Sequence, residues 1–220
     1  MFTVWGRRNS SNVQKVLWAL EEAGVDYEQH SVGGSFGGTD TREFRKMNPN
    51  GLVPVVKDGT LTIYESHAIV RYIAKRYGRG TIMPRGNRAF ALAEQWMEWS
   101  ISTFNPPLNG IFWNKIRVPA DQCNADDVKA SEKRIAEVIK IVDRGLGRKP
   151  WLTGKHFSYG DIPLGILYWR YKCLDTTHAR VRNLDRWFEQ LQERPAYQKT
   201  VMLPIGGNVT EWQANEQKYG

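Results

Sequence analysis

Val53-Pro54-Val55-Val56-Lys57-Asp58-Gly59-Thr60-Leu61-Thr62-Ile63-Tyr64-Glu65-Ser66 reads as a β-hairpin running directly into a helix. Asp58-Gly59 lies between two apolar runs, and Asp-Gly in that setting is among the strongest short-range hairpin signals. After Glu65-Ser66, the residues Ile69, Val70, Ile73 and Ala74 recur at helical spacing, ending near Gly78. Upstream, Phe2 to Trp5 predicts a short strand. Val13, Val16, Leu17 and Leu20 trace one face of a helix that starts near Asn12 and is stopped by Gly24. Tyr27 to Val32 predicts a second strand. The order βαβ, short helix, ββα specifies a small mixed sheet with helices packed on it. The run Gly33 to Gly38 lacks GxGxxG spacing and predicts a flexible loop, not a phosphate cradle.

Beyond Gly80 to Asn87 the strand signals vanish. Arg88 to Phe104 is predicted helical, and Asp126 to Arg144 repeats Val128, Ile135, Val138, Ile139 and Val142 at helical spacing. Ser158-Tyr159-Gly160-Asp161 before the apolar run Ile162 to Tyr168 has the form of a capping box. Leu184, Trp187, Phe188 and Leu191 mark a further helix that stops before Pro195. The expected organisation is a sheet-containing domain over 1–79, a linker over 80–87 and an all-α domain over 88–220.

Composition narrows the function. Of 220 residues, 31 are basic and 23 acidic, a net charge of +8, but without a block of like charges. Up to Arg79 there are eleven basic and eight acidic residues, so the excess is shared between the halves and nucleic acid is not an expected partner. No apolar run approaches the roughly 20 residues of a membrane span. With no signal-peptide pattern and only Cys123 and Cys173, too far apart for CxxC chemistry, a reducing, cytoplasmic setting is expected. Both cysteines read as packing residues.

Four features together resemble the cytosolic glutathione transferase superfamily, at separations covering nearly the whole chain. They are Arg8-Asn9-Ser10-Ser11-Asn12 opening the first helix, Asn48-Pro49-Asn50-Gly51-Leu52-Val53-Pro54, and Tyr64-Glu65-Ser66. The fourth is Ser158 to Asp161, followed by Asn183-Leu184, Trp187 and Arg194-Pro195-Ala196. The Trp-Gly-Arg start and the Ser-x-Asn helix opening are most similar to bacterial members that place Ser, Thr or Asn beside the thiol. The resemblance implies a thioredoxin-like first half that holds glutathione as co-substrate, and a helical second half that shapes the pocket for a small electrophile. It also implies a two-fold homodimer, and the chemistry requires no metal.

It further implies that Val53-Pro54 is a cis pair offering the backbone of Val53 to the cysteinyl part of glutathione; from sequence alone, Pro54 could equally start an edge strand. Glu65 and Ser66, at a helix N-terminus, would take the γ-glutamyl ammonium and carboxylate, a role compatible with plain helix capping. Many relatives carry Gln or Lys two residues before the cis-proline to reach the glycyl carboxylate. Here that residue is Leu52, which leaves Lys46 or Asn50 for the task.

The chemistry needs a thiolate. A free thiol, with pKa about 8.5, is only about 3% ionised at pH 7, and lowering that value by two units takes roughly 2.7 kcal/mol. A hydroxyl hydrogen bond to a charged acceptor supplies about 1.5–3 kcal/mol, and a helix N-terminus adds up to about 2 kcal/mol. The resemblance puts Ser10 at the thiol, with Asn12 and then Ser11 as alternatives; all three also suit the N-cap. Arg7 either faces the pocket mouth or is a solvated surface residue. Phe104, Phe112 and Trp113 are candidate apolar walls or plain core. Conjugation is the expected activity, with glutathione-dependent disulfide or peroxide reduction, or non-catalytic binding, as alternatives.

Overall fold

A computed structural model describes residues 2–220. Strands β1 (Phe2–Trp5), β2 (Tyr27–His30), β3 (Val55–Asp58) and β4 (Leu61–Tyr64) form one sheet in the order β2-β1-β3-β4. β1 runs parallel to β2 and antiparallel to β3, with Val4 opposite Val56, and β4 returns antiparallel to β3. With α1 (Ser11–Ala23), α2 (Arg42–Met47) and α3 (Ser66–Arg76), this is the predicted βαβ–α–ββα half, thioredoxin-like in form.

The hairpin turn lies one residue later than its Asp-Gly signal suggests. Asp58 stays in β3 opposite Leu61, and the loop is Gly59-Thr60, with Gly59 at φ 59°. The Asp58 carboxylate accepts from the hydroxyls of Tyr72 on α3 and of Tyr77, its C-cap, at 2.7 and 2.5 Å, which holds it in the ladder. β2 ends at His30, short of the expected Val32. The run of glycines after it is not a bare loop, since Gly34–Phe36 forms a 3₁₀ turn.

The helical half comprises α4 (Asn87–Trp99), α5 (Asn105–Phe112), α6 (Ala125–Leu146), α7 (Ile162–Cys173), α8 (Arg182–Gln192), α9 (Pro195–Thr200) and α10 (Val209–Tyr219). The helix expected to end near Phe104 does not end there. It passes through a π-helical turn at Ser100–Phe104 into α5, then through a second at Trp113–Arg117. Pro106 and Pro107 cannot donate to the carbonyls one turn back, and the ladder widens there, with the Asn105 N–H reaching Ser100 O. Neither α9 nor α10 was visible in the sequence pattern.

Apolar burial joins the halves. Every residue of α1 from Val13 to Leu20 is buried, because the helix lies between the first half and helices α7 and α9. Gln14 Nε2 donates to the carbonyls of Thr200 and Val201 at 3.1 and 3.2 Å. Trp18 packs against Gly165 of α7, where a Cβ would sit 2.9 Å from the indole. Arg194 forks onto Glu22 at 2.7 and 2.5 Å and stacks over Phe157 at 4.0 Å. On the other side, Arg71 of α3 pairs with Glu94 of α4 at 2.9 Å, and Tyr159 donates to the same carboxylate at 2.6 Å.

The predicted capping box is half realised. Asp161, fully buried, accepts from the N–H of Ser158 at 3.1 Å, the reciprocal bond of the motif. The Ser158 hydroxyl accepts from Gly160 N–H instead of Asp161 N–H. Asp161 also accepts from Leu152 N–H and Trp187 Nε1 at 3.0 and 2.9 Å, so it serves as a hub more than a cap.

Candidate active site

Three chain segments meet where β1 gives way to α1. A Cβ on Gly6 would lie 2.4 Å from Val13 Cγ2 and 3.2 Å from Val53 Cβ, so only glycine lets the end of β1, the start of α1 and the segment before β3 come this close.

Ser10 is the N-cap of α1, in extended conformation (φ −72°, ψ 126°), and its carbonyl accepts the Gln14 N–H at 2.8 Å. A serine here ordinarily turns its oxygen onto the first-turn N–H groups. The half-buried Ser10 makes no such bond, and its hydroxyl is left for another partner. Ser11 is half-buried and Asn12 exposed. Asn12 Oδ1 accepts from Lys15 Nζ at 2.9 Å and from Ser66 Oγ at 3.4 Å, tying the starts of α1 and α3 together.

Val53-Pro54 is a cis peptide. Val53 precedes the β3 ladder, and among the described residues neither its N–H nor its C=O takes a backbone hydrogen bond. Buried Asn48 sets the approach to this pair. Its amide donates to Leu52 O at 2.7 Å, while Oδ1 accepts from the backbone and side chain of Asn50 at 3.1 and 3.0 Å. Lys46 and Asn50 are exposed, as is Leu52.

Glu65 is exposed and adopts φ 72°, ψ 107°, the one non-glycine among the described residues at positive φ. Such a conformation costs on the order of 1–3 kcal/mol and persists where surrounding structure enforces it. Ser66 follows, buried, as the first residue of α3.

Beneath these groups lie two buried bases. Burial, then the nearby Arg170, pulls the Lys15 ammonium down to about 7 against the opposing pull of Glu65 and Glu98. Burial, then Lys15 and Arg71, holds the His67 imidazole down at about 3, so it is neutral at physiological pH.

Facing them, Arg7 is paired with Glu216 of α10 at 2.5 Å; it is not the solvated residue that was one of its two readings. Glu216 also accepts from Ser35 N–H at 2.8 Å. Burial opposes its ionisation, but the Ser35 donors and Arg7 outweigh it and hold the carboxyl below the usual range. Phe112 is buried and meets Trp212 edge-on at 5.3 Å. Trp113 is 56% exposed, with Arg117 5.3 Å above its ring. Phe104 has no exposed surface and packs near Trp99, so it belongs to the core and not to a pocket wall. Burial pushes the Cys173 thiol up to about 11, which disfavours its thiolate.

An uncommitted N-cap hydroxyl, a cis-proline pair with a free backbone edge and a strained helix entry thus surround one spot. The chain matches the family models for the glutathione S-transferase N-terminal domain over residues 1–75 and C-terminal domain over residues 104–195. It is 38% identical to glutathione S-transferase GstB of Escherichia coli (strain K12) over 207 residues, 93% of this chain and 100% of that one. The chain belongs to the glutathione S-transferase family. A solved theta class transferase from Xanthomonas axonopodis pv. citri, with glutathione bound, superposes with TM-score 0.89 at 40% identity, covering 93% of this chain and 99% of that one. Glutathione S-transferase F14 of Arabidopsis thaliana is 32% identical over 216 residues, covering 91% of this chain and 80% of that one.

Several residues around this transferase's site escaped the sequence reading: Lys15, His67, Arg117, Arg170, Trp212 and Glu216, while Asn48 was read only as part of a motif. Asn48 had a local signal in the turn-rich Asn-Pro-Asn-Gly run. The others depend on partners far away in the chain, which no local pattern displays.

Proposed function

We propose that this transferase binds glutathione against Val53, Glu65 and Ser66, ionises its thiol beside Ser10, and conjugates the thiolate to a small electrophile. The carrying observation is the Ser10 hydroxyl, which sits at the α1 N-terminus without capping it. In this reading it donates to the sulfur, and the helix N-terminus adds its partial positive charge. Asn12 assists with its amide, since its carbonyl is already engaged by Lys15 and Ser66. Ser11, inside the helix, plays the lesser part.

The first-turn N–H groups of α3 and the Ser66 hydroxyl receive the γ-glutamyl carboxylate, and Glu65 pairs with the ammonium. Val53 pairs its free backbone edge with the cysteinyl unit. Asn50, held by Asn48, supports the glycyl end, with Lys46 nearby in the chain. The first half, over 1–79, carries glutathione. The helical half, over 88–220, supplies the electrophile's side of the cleft, where Arg7, Phe112 and Trp113 are its lining. The setting we propose is detoxification in the cytoplasm, as a two-fold homodimer. Among the described residues no helix is long and apolar enough to cross a membrane.

The test is the ultraviolet difference spectrum of thiolate on adding glutathione across pH, in wild type and Ser10→Ala. A thiolate titrating well below the free thiol, and shifted upward in Ser10→Ala by about one to two units, is the expected result. No thiolate band at any pH would overturn the reading.

A further inference from the structure

Around Trp212 the helical half gathers more positive charge than it neutralises. Arg117, in the π turn after α5, and Arg170, on α7, both stack on Trp212 of α10, their guanidinium carbons 5.0 and 5.6 Å from its ring centroid. Arg170 also lies 5.0 Å over Phe112. One of its terminal nitrogens donates to the carbonyl of Asn9, the residue bonded to Ser10, which sets this charge beside the proposed thiolate position.

Arg7 has Glu216. Among the described residues, neither Arg117 nor Arg170 has a carboxylate within 4.0 Å. Arg170 is only 8% exposed, and its Nε has no hydrogen-bond partner. Leaving a buried cation unpaired is costly, and packing alone would be served better by an apolar residue. Burial, then Arg7 and Arg117, pulls Arg170 down to about 9, and burial followed by Arg7 also lowers Arg117. Arg7 therefore acts on both Arg170 and Arg117, and Glu216 is the one anion that counters it at Arg117.

Resting on the transferase reading above, we propose that Arg117 and Arg170 seat a carboxylate or similar anionic group carried by the electrophile. Glutathione brings a carboxylate of its own at its glycyl end, so the test must separate the two sources. The probes are 4-chloro-3,5-dinitrobenzoate and its uncharged amide, 4-chloro-3,5-dinitrobenzamide. With either, the thiolate sulfur attacks the chlorine-bearing carbon, the C–S bond forms, and chloride leaves with the C–Cl electron pair. The thiol proton goes to solvent. kcat/KM is measured for both probes, corrected for the uncatalysed rates, together with KM for glutathione, in wild type, Arg117→Gln and Arg170→Gln.

A charge-assisted hydrogen bond is worth about 1.5–3 kcal/mol, so wild type should prefer the benzoate by about tenfold or more. Each variant should reduce that preference by a similar factor while KM for glutathione holds. Should Arg170→Gln fail to fold, the more exposed Arg117 carries the test. Equal rates for the two probes in wild type would overturn the inference and leave the transferase reading intact. A raised KM for glutathione with an unchanged probe ratio would assign the arginines to the glycyl carboxylate and overturn it too. Conversion of neither probe would remove the transferase reading on which it rests.

Discussion

Lys15 Nζ donates to Asn12 Oδ1 at 2.9 Å, within one turn of the same helix and with only 3% of Lys15 exposed. The ammonium is thus held under the proposed glutathione site at a cost to the fold. Burial holds it down to about 7, below the ordinary lysine value of 10.5, so between those values the unfolded chain binds a proton that the folded chain does not. Stability from this group therefore rises with pH across that window. In urea unfolding, wild type should gain about 2 kcal/mol between pH 7 and 9 that Lys15→Met does not. Parallel pH profiles for the two proteins would refute the assignment.

The backbone at Glu65 sets shape against charge. Glu65→Gly relieves the positive φ, and the gain is partly offset by the greater freedom of glycine in the unfolded chain. Stability should stay level or rise by up to about 1 kcal/mol, while KM for glutathione rises about tenfold through loss of the carboxylate. Denaturation midpoints and steady-state kinetics on one preparation check both halves of this expectation.

Asp161 is the acceptor on which α7 and α8 both depend. Asp161→Ala leaves Leu152 N–H, Ser158 N–H and Trp187 Nε1 buried without their acceptor. At about 1–3 kcal/mol for each of the three orphaned donors, a loss of at least about 3 kcal/mol is expected. Asp161→Asn, which keeps one acceptor oxygen, should lose less. Equilibrium unfolding of the pair provides the comparison.

Arg194 joins the start of α9 to α1 through its fork on Glu22, whose Oε1 also accepts from Trp18 Nε1 at 2.9 Å. Arg194→Lys keeps the charge but loses the second hydrogen bond and the guanidinium face over Phe157. A stability loss of about 1–2 kcal/mol is expected, with the thiolate titration of bound glutathione unmoved. A shift in that titration would mean that this contact reaches the site.

What could be read from the sequence was what is encoded locally. The hairpin and the helix starts at Ser10 and Ser66 are decided by neighbouring residues, and they lie within a residue or so of where they were expected. The stripe on α1 marked one buried face, but the whole of Val13 to Leu20 is buried, because α7 and α9 cover what would otherwise be its solvent side. Lys15 and Gln14 are buried for the same reason. The arginine wall was invisible: Arg7, Arg117, Arg170, Trp212 and Glu216 are brought together only by tertiary packing. Phe104 and Phe112 are both buried, but Phe104 packs near Trp99 and Phe112 against Trp212, partners that helical periodicity does not name.

The two π turns in the helix from Asn87 to Arg117 matter for comparing this chain with its relatives. A π turn holds one residue more than the α turn it replaces, so each amounts to an insertion absorbed without breaking the rod. An alignment that forbids gaps within helices would slide Asn105 to Arg117 out of step against any relative lacking one of these turns. Arg117 would then be matched to the wrong column, and a change at the proposed anion seat would pass as ordinary surface variation.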